Sequence, residues 1–264
     1  MQAKKSLGQH FLRCEWVVDE LIAAADLRPS DTVLEIGPGT GILTVPLAKH
    51  AGRVIAVEKD DALADALRGK NFPRVEIVKG DILSLFQTKS GISSRLSLEC
   101  YKVVANIPYY LTSRLLRLLI EGDARPERIV LTIQKEVAER IIAVPPDMNL
   151  LALSVQAYGT PRLIALVPPS CFAPSPDVES AIISISDISD NFFRKNALDA
   201  QFFFKVLHAA FGQKRKQLAN PLAAIAGGKE KALAALKTAG LDPRVRPQEL
   251  SLAQWATLIT GLSQ

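Results

Sequence analysis

The sequence predicts an α/β protein, a seven-stranded and mostly parallel sheet with helices on both faces, followed by a small all-helical carboxy-terminal domain. Three observations carry this. Apolar runs of strand length alternate with longer helical patterns through residues 1–190, the order that builds a doubly wound sheet. The first apolar run enters a turn with three glycines, Gly37-Pro38-Gly39-Thr40-Gly41, before a helix begins. Residues 191–264 show helix periodicity only.

Residues 1–13 are basic and contain Gly8-Gln9-His10-Phe11-Leu12 ahead of an amphipathic helix from Glu15 to Asp26. Packing of Leu7, Phe11 and Leu12 on the core would by itself explain that cluster. Thr32 to Gly37 reads as a strand and Thr40 to Lys49 as a helix. Glycines between them permit positive φ and let a ligand approach without meeting a Cβ, while the helix presents free N–H groups. A dinucleotide fingerprint would need a third glycine where Ile42 stands, so the turn departs from NAD and FAD sites.

Arg53 to Val57 is a second strand, with Glu58 at its carboxyl end, 21 residues past Gly37. Open α/β sheets bind ligands beyond the carboxyl ends of their strands, and a carboxylate there can accept both hydroxyl protons of a ribose. A third strand, Val75 to Lys79, runs into Gly80-Asp81. Asp81 can accept from the amino group of an adenine ring, or simply cap a helix beginning at Ile82. The glycine turn, Glu58 and Asp81 together describe an adenosine pocket.

Residues 87–99 read as a surface excursion, and Tyr101 to Ala105 as a fourth strand leading into Asn106-Ile107-Pro108-Tyr109-Tyr110. Pro108 ends the strand and biases Ile107 to an extended shape. Asn106 Oδ1 and the Pro108 carbonyl would then offer two acceptors to one planar amino group. Such a group, as in adenine, is a poor nucleophile because its lone pair is delocalised; accepting both hydrogens would favour pyramidalisation and aim the lone pair at an electrophile. Tyr109 would stack on the base, which must leave its helix or loop to reach the site.

Further on, Thr112 to Glu121 and Lys135 to Ala143 read as helices around a fifth strand, Arg128 to Ile133. Leu150 to Tyr158 reads as another helix, and Arg162 to Val167 and Ala181 to Ser186 as the last two strands. The proline-rich loop between those strands carries Phe172, either as a second wall of a base slot or as a core residue. Helices are then expected over 201–219, with Lys214, Arg215 and Lys216 at the end, over 229–239 and over 252–262, the last opened by Ser251 with Gln254 in capping-box spacing.

The composition, 48% hydrophobic and 22% charged, fits a folded globular chain without staples. No apolar run has membrane length, and no apolar segment follows the first lysines as in a secretory signal, so a cytoplasmic location is expected. Cys14, Cys100 and Cys171 are odd in number and far apart, and the three histidines lack metal-ligand spacing; plain structural roles and no metal are expected. Net charge is +5, with ten Lys/Arg against four Asp/Glu in residues 195–264 and 22 against 23 before them. That imbalance points to a polyanionic partner.

GQHFL, EIGPGTG, VEKD, NIPYYLTS, QKEVAERI, the pattern from Phe172 to Ala181 and AFGQKRKQLAN occur in this order along nearly the whole chain. As a set they resemble the ribosomal RNA adenine dimethyltransferases, and within them the small-subunit enzymes more than the large-subunit ones. The resemblance implies a Rossmann-like S-adenosylmethionine methyltransferase domain over 1–190 and a basic RNA-binding helical domain over 191–264. It implies dimethylation of two adjacent adenosines in a loop near the 3′ end of 16S rRNA within an immature small subunit, by a monomer. Carried over by motif, Gln9, His10, Leu12, Gly37, Gly39, Glu58, Asp81 and Asn106 would form the cofactor site. Asn106, Tyr109 and Phe172 would hold the target base, and Lys214, Arg215 and Lys216 would contact RNA. Arg114, where relatives often carry a small residue, and the 145–156 segment depart from the family pattern.

Overall fold

The structure, a computed structural model, describes residues 4, 7–86, 96–122, 124–213 and 216–262. Its main sheet has the strand order β4-β3-β2-β5-β6-β9-β7. These strands are β2 (Thr32–Ile36), β3 (Arg53–Glu58), β4 (Val75–Lys79), β5 (Tyr101–Asn106), β6 (Arg128–Gln134), β7 (Thr160–Val167) and β9 (Ser180–Ser186). Strands β2 to β6 pair in parallel, and β9 runs antiparallel between β6 and β7. The chain builds outward from β2 through β3 to β4, then returns to lay β5 on the other side of β2. That reversal makes the carboxyl ends of β2 and β5 a topological switch point, where open α/β sheets bind ligands.

Central strands are apolar on both faces because helices cover both, and Val33, Leu34, Val54, Ile55, Val103 and Val104 are fully buried. Helix α1 (Glu15–Ala25) buries Val17, Val18, Leu21 and Ala25, and ends where Asp26 turns left-handed. Helix α2 covers Thr44–His50, four residues later than Thr40, the expected start. Gly39 and Gly41 hold φ at +58° and +87°, and the Gly41 N–H closes a turn on the Pro38 carbonyl, which delays the first helical turn. Helix α3 (Asp61–Arg68) is capped by Asp60, whose carboxylate accepts from the Ala62 N–H.

A second sheet of two short strands, β1 (Phe11–Leu12) and β8 (Phe172–Ala173), lays the amino-terminal segment along the proline-rich loop. Cys14 and Cys171, read from the sequence as plain structural residues with no pairing assigned, close the end of this ribbon with a disulfide. Their separation of 157 residues gave no spacing signal, and the β1–β8 pairing is what brings them together.

The chain divides into two compact units, residues 1–138 with 160–188, and residues 139–159 with 189–264. The second crossing lies beside the boundary expected at 190, but 139–159 join the helical unit because the helix Leu150–Gln156 packs on the helix Ala200–Phe211. Within that unit Tyr158, Phe193, Phe203 and Phe204 form an aromatic cluster. The helix expected over 201–219 ends at Phe211, and a separate helix covers Ala219–Ala226. Ser251 and Gln254 form the anticipated reciprocal cap before the helix Leu252–Leu262. No described helix is long and apolar enough to cross a membrane.

Candidate active site

The carboxyl ends of β2, β3 and β5 open into a cleft that the segment Leu7–Leu12 and Phe172 also line. Its floor is the glycine turn. Gly37 has φ +69° and donates its N–H to the Val57 carbonyl, tying the turn to β3. Gly39 donates to Glu58 Oε2 at 3.1 Å, and a Cβ on it would lie 3.2 Å from the Phe11 ring. A side chain at residue 39 would crowd Phe11 where it closes on the turn.

Glu58 is buried and accepts from two backbone groups, Gly39 N–H and Asp60 N–H, the latter at 2.8 Å. Burial pushes its carboxyl above the usual range, against the pull of those two hydrogen bonds. Each carboxylate oxygen has a second lone pair, so a hydroxyl pair can still be accepted. Asp81 accepts from the Leu83 N–H at 2.9 Å and pairs with Lys59 at the same distance. The capping role and a place on the cleft wall thus coexist in one side chain.

The amino-terminal segment is held by polar contacts. Gln9 donates to Asp60 at 3.2 Å and accepts from the Lys4 N–H, while Lys4 Nζ pairs with Asp60. His10 Nδ1 lies 2.7 Å from the Pro174 carbonyl oxygen, and its ring stacks on Tyr109 with centroids 5.7 Å apart. Leu12 is buried against Phe172 through the β1–β8 pairing.

Asn106 ends β5. Its Nδ2 donates to the His10 carbonyl at 3.2 Å, which leaves Oδ1 as the acceptor for a ligand in the cleft. The Pro108 carbonyl, expected as the second acceptor, is already engaged by the Leu111 N–H in the short helical turn Tyr109–Leu111. Pro108 sets that turn's entry, and its own carbonyl closes the turn. The Tyr109 hydroxyl is 2.7 Å from Ser180 Oγ on β9, which holds the ring at the rim, and burial raises its pKa against the pull of that bond. Phe172 is 4% exposed and belongs to the core cluster while lining the cleft, so the two readings of it are not exclusive.

The structure therefore brings Gln9, His10, Leu12, Gly37, Gly39, Glu58, Asp81, Asn106, Tyr109 and Phe172 to one cleft. Lys216 is exposed in the helical unit, and Lys214 and Arg215 lie outside the described residues. Sequence reasoning missed Phe11 and the tie of Lys4 and Gln9 to Asp60, and it gave no role to Glu35, the carboxylate of EIGPGTG, which is buried and lines the cleft. Its signal was its place two residues before Gly37 at the end of an apolar strand, where a charged residue has no packing reason to be. Among the described residues no group of three His, Cys, Asp or Glu is placed to hold a metal ion.

The donor set fits an adenosine ligand with a cationic tail: a glycine-lined floor, a carboxylate with free lone pairs at a strand end, and a second carboxylate with neither oxygen hydrogen-bonded. Comparison with known proteins agrees. A family model described as Ribosomal RNA adenine dimethylase matches residues 1–264. A protein of Dehalococcoides mccartyi named Ribosomal RNA small subunit methyltransferase A is 44% identical over 262 residues, covering 98% of this chain and 88% of that protein. One of the same name from Halothermothrix orenii is 39% identical over 273 residues, covering 99% and 89%. Among solved structures, a dimethyladenosine transferase from Plasmodium falciparum superposes with a TM-score of 0.80 at 26% identity, covering 94% of this chain and 96% of that one. The 23S rRNA methyltransferase ErmE superposes with a TM-score of 0.76 at 25% identity, covering 96% and 100%.

Proposed function

Since the chain belongs to the ribosomal RNA adenine dimethylase family, we propose that it dimethylates two adjacent adenosines in a loop near the 3′ end of small-subunit (16S) rRNA. S-adenosylmethionine supplies the methyl group as an electrophile on a sulfonium sulfur. Glu58 accepts the ribose hydroxyls, Asp81 the adenine amino group, and the glycine turn, with no Cβ at Gly37 and Gly39, leaves room for the methionine part. Gln9, His10 and Leu12 close the cleft from above.

The observation that carries this reading is Asn106. With its Nδ2 committed to the His10 carbonyl, Oδ1 is left to accept from a ligand in the cleft that Tyr109 and Phe172 also line. A flipped-out adenine stacked between those rings gives one N–H of its amino group to Oδ1 and the other to the Ile107 carbonyl, the next one back along the chain from Pro108. Both hydrogens held, the lone pair turns toward the methyl group; the N–C bond forms as the C–S bond breaks, and the surplus proton leaves to water. Repetition of the step on the same nitrogen gives the dimethyl product.

The substrate is the immature small subunit, reached by a cytoplasmic monomer. Lys214, Arg215 and Lys216 neutralise rRNA phosphates from the helical domain, residues 191–264. The test is to incubate the protein with tritiated S-adenosylmethionine and small subunits from cells lacking this modification, then map the label by nuclease digestion and mass spectrometry. Dimethyladenosine at a 3′-terminal loop is expected. Label absent from the rRNA, with cofactor nonetheless bound, overturns the substrate assignment.

A further inference from the structure

Glu35 is the fourth residue of β2, two positions before the first glycine of the turn, and it lines the cleft although only 1% of it is exposed. Neither of its carboxylate oxygens has a hydrogen-bond partner. Across β2 its neighbour is Ala56 of β3, which offers no side-chain donor. Helix α2 faces it with Thr44, whose hydroxyl is likewise buried and unpartnered. An ionised carboxylate so placed would be severely penalised, and the Thr44 hydroxyl offsets only part of that penalty.

The surrounding charges leave that condition unrelieved. Glu58, at the end of β3, acts on Glu35 with the same sign. Among the described residues, Lys4 and Lys59 beside the cleft are committed elsewhere, Lys4 to Asp60 and Lys59 to Asp81. From β5 the cleft receives Asn106, which carries no charge, and from the amino-terminal segment His10, whose ring is engaged with Pro174 and Tyr109. Burial pushes the Glu35 carboxyl up to about 8, Thr44 opposing and Glu58 adding to the push. The Thr44 hydroxyl is near enough to oppose it without forming a well-aligned hydrogen bond.

Resting on the assignment of this cleft to S-adenosylmethionine, we propose that Glu35 is a charge-matching residue of the cofactor site, protonated in the free protein and ionised when the cationic methionine end of the cofactor binds beside it. The ligand carries an ammonium and a sulfonium, and an opposite charge within a few ångströms favours the ionised carboxylate. Binding therefore releases the Glu35 proton to solvent. The arrangement makes cofactor affinity rise with pH through the neutral range and selects for a cationic tail against a neutral one.

The test is calorimetry of S-adenosylmethionine binding to the full chain at pH 7 in buffers of different ionisation enthalpy, which counts protons exchanged. Relative to Glu35→Gln, the wild type is expected to release about one additional proton, since a group titrating near 8 is roughly nine-tenths protonated at pH 7. The cofactor amine titrates in both proteins, so the difference isolates Glu35. Equal proton counts overturn the proposal. If Glu35→Gln does not fold, difference infrared spectroscopy on the wild type decides: loss of a carboxylic-acid carbonyl band on adding cofactor is expected, and an unchanged band refutes it. Glu58→Ala separates this from the site assignment. Unaltered affinity in that variant removes the cofactor from this cleft, whereas weakened affinity with equal proton counts rejects the role of Glu35 alone.

Discussion

Gly39→Ala probes the joint between the glycine turn and the segment that closes the cleft. The added Cβ meets two costs. Residue 39 sits at φ +58°, where a side chain costs roughly 1–2 kcal/mol. The Cβ also lies 3.2 and 3.3 Å from two atoms of the Phe11 ring, tighter than ordinary contact. Phe11 cannot simply swing away, because β1 pairs with β8 and the Cys14–Cys171 bond closes the ribbon. A loss of about 2 kcal/mol is expected, equivalent to a fall in Tm of roughly 4–8 °C for a chain of this size. The turn must also shift the N–H it gives to Glu58, so cofactor affinity is expected to fall at least about tenfold, or about 1.4 kcal/mol. The assays are urea unfolding and calorimetric titration with S-adenosylmethionine. Gly69→Ala is the control in the same unit: its backbone is right-handed and the added Cβ meets nothing closer than 3.6 Å. Its stability should stay within about 0.5 kcal/mol of wild type. Gly39→Ala matching wild type in both assays, or Gly69→Ala losing as much, refutes the reasoning.

Lys102, 7% exposed, pairs with Asp31 at 2.8 Å and donates to the Asp26 carbonyl, so Lys102→Met strands a half-buried carboxylate and should cost about 3 kcal/mol in urea unfolding at pH 7. Burial would raise the Asp31 carboxyl, but the bond and charge of Lys102 together with the N–H and charge of Arg28 outweigh it and hold the group below 3.8. The pair's contribution is thus complete above pH 3.8 and is lost as the pH falls through the lower folded value, so wild type and Lys102→Met should converge in stability in strong acid. Tyr109→Phe removes the bond to Ser180 and should cost about 1 kcal/mol of stability while methyl transfer persists, since the ring remains. Tyr109→Ala removes a stacking surface worth about 1–3 kcal/mol per base, so KM for the rRNA substrate should rise roughly tenfold or more.

Much of the sheet was legible because buried parallel strands are written as apolar runs, and β2, β3, β5 and β6 have few polar interruptions. The glycine turn, Glu58, Asp81 and Asn106 were legible for a related reason: each stands at the carboxyl end of such a run, where the fold puts its ligands. What escaped depends on contacts between distant segments. The β1–β8 ribbon joins residues some 160 apart, so neither the Cys14–Cys171 bond nor the approach of Phe11 to Gly39 has a local sign. The bond to the Pro108 carbonyl was not foreseen because the helical turn that makes it, Tyr109–Leu111, is too short to have a periodicity. Glu35 was visible as a carboxylate within the motif, but its meaning comes from burial without partners, which only three-dimensional packing reveals.

The most direct measurement is single-turnover methyl transfer by Asn106→Ala to unmodified small subunits, with S-adenosylmethionine binding measured in parallel. Cofactor affinity is expected to hold within a few-fold, because Asn106 has been assigned chiefly to the base. Transfer is expected to fall by at least about a hundredfold, the usual cost of losing one aligned hydrogen-bonding group in an active site. Undiminished transfer would contradict the assignment of Asn106 Oδ1 as the acceptor that readies the adenine nitrogen.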